Sequence, residues 1–302
     1  MTVIWGTNYS IVKRAFADID PQAFNAMRMM IASAVFVAII LFLNRSARRA
    51  ASARDVDSVF HTPAPLTSRD WLVLAGLGVV GHALYQYLFV GGLALTSVAN
   101  SSLMLAATPV VIAIVSAVLG SERIGPLHWL GAALSLIGIY IVVGQGMSDE
   151  GTSVRGDLMM FGAVCCWAVY TLGAGPLMLR HSPVGVTGLS MAIGTLVYVP
   201  VMLPRLRATP WTALSAFTWF AILYSALFAL CVAYTIWYMA VREIGSARTA
   251  VYSNLIPIVA MLTAVGFLGE RLTGGRLVGA AAVLVGVALT RIRTSSPRDV
   301  GT

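Results

Sequence analysis

The sequence predicts an all-α integral membrane protein: ten transmembrane helices arranged as two inverted five-helix repeats. Three observations predict it. The chain is 58% hydrophobic and 11% charged, with a mean hydropathy of +0.84, whereas soluble domains carry about 25% charged residues. Apolar stretches of about 20 residues, long enough to cross a bilayer, follow one another with short polar breaks. The second half also repeats the first. Pro109, Glu122-Arg123, Gly131-Ala132-Ala133, Leu136 and Gly138 recur 148 positions later as Pro257, Glu270-Arg271, Gly279-Ala280-Ala281, Leu284 and Gly286. A rigid offset of this kind marks an internal repeat. Trp71 and Trp219 keep the 148 offset, while Trp5/Trp167 and Pro21/Pro183 pair at 162. The extra 14 positions fall in the Arg-rich stretch 45–69 of the first copy.

In chain order the spans read 2–17, 22–44, 70–94, 97–119 and 127–145, then 156–177, 184–204, 216–240, 246–268 and 275–291. Helices are expected because each span must satisfy its backbone groups internally, and runs such as Ala32–Leu43 lack the alternation of a barrel strand. The first repeat covers residues 1–145, the second 154–291, and residues 292–302 form a tail. Lys13 and Arg14 interrupt the first span before it has a bilayer's worth of apolar residues. That span is either short and tilted or continues upstream, and we expect a start upstream of Met1.

The net charge of +8 is placed for topology, not for nucleic acid. Arg45, Arg48, Arg49, Arg54 and Arg69 crowd one loop, and Arg291, Arg293 and Arg298 follow the last span. Both regions read as cytoplasmic flanks that can also meet anionic lipid. With both termini cytoplasmic, about 12 Lys and Arg lie inside and about 7 outside. The expected location is the inner (cytoplasmic) membrane. Cys165, Cys166 and Cys231 fall inside spans without CxxC spacing, so they read as packing residues, and neither metal nor cofactor is expected.

Five spans per copy is an odd number, so the second copy enters the bilayer from the opposite face. Inverted repeats of this kind supply alternating access around a central site. Pro109 and Pro257 sit in the middles of spans four and nine, where a proline removes a backbone hydrogen bond and breaks the helix. The glycines of spans five and ten allow close approach, either to each other or across a dimer face.

These residues also resemble a known family. Trp5-Gly6-x-Asn8-Tyr9 with Pro21 and Arg28, and the Pro109/Glu122-Arg123 and Pro257/Gly269-Glu270-Arg271 ends, resemble two tandem EamA domains of the drug/metabolite transporter superfamily. The resemblance implies ten helices and a cavity lined by helices one, three, four, six, eight and nine. It also implies transport of small metabolites such as amino acids, driven by an ion gradient or by exchange. Departures are Trp167-Ala168 in place of Trp-Gly, Ser190 at the position of Arg28, and Ser121 before Glu122.

Polar side chains at mid-span mark candidate cavity residues. His82, Tyr85 and Gln86 share one helical face, and His82 has the titration range to couple proton and substrate movement. Gln86 is equivalent to Tyr234, and Tyr238 continues that stripe. Trp5 and Asn8 in span one correspond to Trp167 and Tyr170 in span six. Asn100 precedes the first proline, and Tyr252 and Asn254 precede the second. Arg28 reads as an anchor that snorkels to the interface. The expected function is a secondary transporter moving a small metabolite, an amino acid or related compound, by efflux; oligomeric state is open. The alternatives are a lipid-linked flippase and an intramembrane enzyme. The sequence holds no phosphate-binding loop and no HExxH.

Overall fold

The computed structural model describes residues 1–49, 65–96, 98–106, 108–118, 125–144, 153–268 and 274–291, and among these no strand occurs. The helices are α1 (Thr2–Ala15), α2 (Pro21–Arg49), α3 (Ser68–Gly78), α4 (Tyr85–Leu95), α5 (Val98–Ala106), α6 (Thr108–Val118) and α7 (Pro126–Gly144). They continue as α8 (Val154–Met178), α9 (Pro183–Ala208), α10 (Ala216–Tyr224), α11 (Ala233–Ile244), α12 (Ser246–Val251), α13 (Ile256–Leu268) and α14 (Gly274–Arg291). The stretches Pro21–Phe42, Ser68–Leu95, Val154–Met178, Pro183–Ala208 and Ala216–Ile244 are each long and apolar enough to cross a membrane. Pro126–Gly138 and Leu277–Gly286 are shorter apolar helices. Glu122-Arg123, Glu270-Arg271, Arg54 and the 292–302 tail lie outside the described residues.

Local chemistry starts equivalent helices in the same way. Asp20 Oδ1 accepts from the backbone N–H of Gln22 at 2.9 Å and Ala23 at 3.0 Å, with Pro21 in the first turn. In the other copy Ser182 Oγ accepts from Gly185 N at 3.1 Å, ahead of Pro183. Pairing a cap side chain with a proline that needs no donor is a favourable helix entry, and the cap contributes about 1 kcal/mol. At the starts of α3 and α10, Thr67 and Asp70 form a reciprocal capping box, and Ser215 Oγ accepts from Thr218 N.

Two irregular turns also recur at matching positions. A π-helical segment, Val79–Leu84, joins α3 to α4, and another, Ser225–Val232, joins α10 to α11. Such widened turns cluster at functional sites. Span nine is divided just before its proline. α13 begins at Ile256 after the 3₁₀ turn Tyr252–Leu255, whereas residue 107, ahead of Pro109 in span four, lies outside the described residues. Pro257 therefore stands in the first turn of a new helix, where a missing N–H costs little.

The polar side chains are inside: Arg28, His82, Gln86 and Asn254 are buried, while Leu72, Leu130, Phe161, Leu196 and Leu277 face outward. That reverses the soluble pattern and suits a lipid solvent. The two halves meet through equivalent residues. α2 packs on α9, with Ser33 Oγ 2.7 Å from Thr195 Oγ1, 162 positions away. α7 packs on α14, so the glycines of spans five and ten close on each other within the chain. A methyl on Gly138 would stand 2.6 Å from the carbonyl oxygen of Gly279, and one on Gly286 2.6 Å from that of Gly131. No side chain fits there, and the backbones touch.

Candidate functional site

Between the halves lies a cavity with about 560 Å³ of empty volume, open solvent included. α1 contributes Trp5, Asn8 and Tyr9, α2 contributes Arg28, and α4 contributes Tyr85, Gln86 and Phe89. Thr108 comes from α6 in the first half, and Ser253 and Ile256 from the 3₁₀ turn and the start of α13 in the second. Trp167 of α8, Ala229 and Leu230 of the second π-helical segment, and Tyr234 and Trp237 of α11 complete the opposite wall.

Six residues singled out from the sequence are thus brought together: Trp5, Asn8, Tyr85, Gln86, Trp167 and Tyr234. Trp5 meets Trp167 edge-on, with ring centroids 6.0 Å apart, and Tyr234 at 5.9 Å. Trp167 and Tyr234 are 5.2 Å apart. Gln86 Nε2 donates to the Tyr234 hydroxyl at 3.3 Å, so equivalent positions of the two copies touch on the cavity wall. The Trp5 indole N–H donates to the Ala229 carbonyl at 3.0 Å, a group the widened π-helical turn leaves reachable.

His82 is fully buried and does not line the cavity; its Nε2 lies 3.2 Å from Ser190 Oγ and its ring packs on Tyr170 at 4.7 Å. Its ring also lies 5.9 Å from that of Tyr234, the partner of Gln86. Tyr170 also bonds Ser190, at 2.8 Å, and Tyr238 packs edge-on against Tyr170 at 5.3 Å; both stand behind the wall. Asn254 is buried in the 3₁₀ turn, and Tyr252 is half-buried there. The side chain of Asn100 lies outside the described residues.

Arg28 corrects the sequence reading. It does not snorkel to the interface: it is 2% exposed and turns into the cavity. Its Nε donates to Asn25 Oδ1 at 2.7 Å, Nη1 to Ser225 Oγ at 2.7 Å, and Nη2 to Gln86 Oε1 at 2.6 Å. A reachable interface was assumed for the long side chain, but polar acceptors on α2, α4 and the second π-helical segment hold the guanidinium inward. The available signal was a charged residue well inside an apolar span, which marks a functional position by default. Tyr9, Phe89, Thr108, Trp237 and Ser253 were also missed. Phe89 and Trp237 lie one turn beyond Tyr85 and Tyr234 and could have been found that way.

Comparison with known proteins agrees with this architecture. The family model described as "EamA-like transporter family" matches residues 1–144 and again 154–292. The chain is similar to the uncharacterized transporter YyaM of Bacillus subtilis, at 24% identity over 95% of this chain and 89% of the relative. It is also similar to a probable amino-acid metabolite efflux pump of Salmonella typhimurium, at 24% identity over 95% and 91%. A probable terminal-alkyne amino-acid exporter of Streptantibioticus cattleyicolor is 28% identical over 76% of each chain. A solved crystal structure shares the fold with a TM-score of 0.72 at 21% identity, covering 96% of this chain and 93% of its own. The chain belongs to the EamA-like transporter family.

Proposed function

We propose that the protein is a secondary transporter that moves an amino acid or related small metabolite outward across the cytoplasmic membrane by alternating access. In this reading the chain crosses ten times, with spans one, four, five, nine and ten completed by the shorter helices, both termini cytoplasmic, and the two repeats inverted. The observation that carries it is the cavity itself, walled by matching elements of both halves and crossed by the Gln86–Tyr234 contact between equivalent positions. A pocket shared in this way can be exposed to one face by rocking one half against the other. The names of the Salmonella and Streptantibioticus relatives support an amino-acid-like cargo and the efflux direction. Family membership favours transport over intramembrane catalysis.

The direct test is uptake and efflux of radiolabelled amino acids by proteoliposomes, with and without an imposed pH gradient. Flux above protein-free vesicles is expected; its absence for amino acids, amines and neutral metabolites alike removes the transport reading. Proton coupling is assigned to His82, whose Nδ1 has no partner among the described residues. A His82→Ala protein that still responds to the gradient would clear that residue of the role.

A further inference from the structure

We infer that Arg28 is the receptor for a carboxylate, so that the cargo is an organic acid or zwitterion and not an amine or neutral compound. This rests on the transport reading above and names the chemistry of its site. Taking a guanidinium out of water costs several kcal/mol unless opposite charge accompanies it. All three assigned partners of Arg28 are neutral oxygens, and among the described residues no carboxylate pairs with it. The described ion pairs lie elsewhere, between Asp70 and Arg180 or His181 and between Asp20 and Arg205. Of five guanidinium N–H groups, three are engaged, which leaves two to meet a ligand.

The surrounding wall is built to complete that ligand. Tyr9 is 3% exposed, Thr108 1% and Trp237 0%, and all three line the cavity. The Tyr9 hydroxyl, Thr108 Oγ1 and the Trp237 indole N–H have no partner among the described residues. Buried polar groups are normally paired, and each of these three can donate a hydrogen bond. Asn8, 5% exposed, presents an unpartnered Oδ1 acceptor to the same cavity. Donors and a fixed positive charge suit a carboxylate. The Asn8 oxygen, with the aromatic faces of Trp5 and Trp167, suits an ammonium group and an apolar side chain.

The test uses the full-length protein and four probes of one shape: phenylalanine, phenylalaninamide, 3-phenylpropionate and 2-phenylethylamine. Thermal-shift binding in detergent and flux in proteoliposomes are measured separately. The two carboxylates are expected to bind about 10- to 100-fold more tightly than the amide and the amine, the value of a charge-assisted hydrogen-bonded pair. Arg28→Gln is expected to abolish that preference. Because this variant could misfold, Gln86→Glu is the second arm: it sets a carboxylate at the position of an atom 2.6 Å from Nη2. That internal partner should occupy the guanidinium, preserve the fold and lower carboxylate affinity by at least tenfold. Carboxylate binding with no flux of any amino acid, amine or neutral metabolite would keep this inference and end the transport reading. Flux of the amine or amide in preference to the acids, or an unchanged acid preference in folded Gln86→Glu, would overturn the inference and leave transport standing. Absence of both binding and flux for all four probes would also overturn the inference.

Discussion

Asp18 and Thr218 hold the two halves together at one end of the molecule: Thr218 Oγ1 donates to Asp18 Oδ2 at 2.7 Å, and Ser215 Oγ donates to the same oxygen at 2.5 Å. The equivalents of Asp18 and Thr218, 162 and 148 positions away, are Arg180 and Asp70, and these form an ion pair of their own. One contact of the repeat is therefore made twice, once with hydroxyls and once with charges, and His181 sits 3.4 Å from the second. In the proposed topology they lie on opposite faces of the membrane, where they would clasp the outer and inner ends of the cavity.

The first clasp should report on pH. The hydroxyls of Ser215 and Thr218 hold the Asp18 carboxyl below its ordinary value of 3.8. A carboxylate depressed in the folded state adds stability above its unfolded value and loses it as the pH falls through the folded one. The melting-temperature gap between wild type and Asp18→Ala should be widest above about pH 5 and close below about pH 4. A gap that stays constant from pH 3 to 6 would contradict this.

Inversion of the repeats can be read by labelling. Ala17 and Leu179 are equivalent positions, 162 apart, and both are exposed in the turns after α1 and α8. With native cysteines replaced, Ala17→Cys should react with an impermeant maleimide from outside the cell and Leu179→Cys only after permeabilisation. Labelling of both from one side would rule out opposite orientations of the two copies.

Backbone contact between α7 and α14 makes their glycines intolerant of bulk. Gly138→Leu forces a side chain against the Gly279 carbonyl and the Val283 N–H, 2.6 and 2.7 Å from the first added carbon. Overpacking of this kind costs about 1–3 kcal/mol. A lower melting temperature and reduced yield are expected in detergent; a melting temperature equal to wild type would show that the helices can separate at no cost.

Trp5 is expected to act on affinity more than on abundance. Its ring closes the aromatic wall with Trp167, Tyr234 and Trp237, while Val3 on the same helix faces outward at 62% exposure. Trp5→Ala should weaken binding of transported cargo several-fold, with Trp5→Phe in between. Equal losses in binding and in membrane abundance would mark Trp5 as a packing residue.

Much of this could be read from the chain. The repeat, the helical class and the family followed from the 148 and 162 offsets and the apolar runs, because lipid forces every span to close its own hydrogen bonds. The equivalence of Trp5 and Trp167 followed from their shared offset; that their rings meet did not. The two π-helical turns were not legible, since residues 79–84 are as apolar as their neighbours. A face drawn on an ideal helix put His82 on the cavity wall with Gln86, whereas its Nε2 meets Ser190 and the residue does not line the cavity. Nor could spacing choose for Arg28 between the interface and the cavity. Covalent order determines where a charge enters a span and which positions are equivalent. Only the packed halves decide whether oxygens such as those of Ser225, 197 residues away, wait within reach of the guanidinium, because that choice depends on distances between helices far apart in the chain.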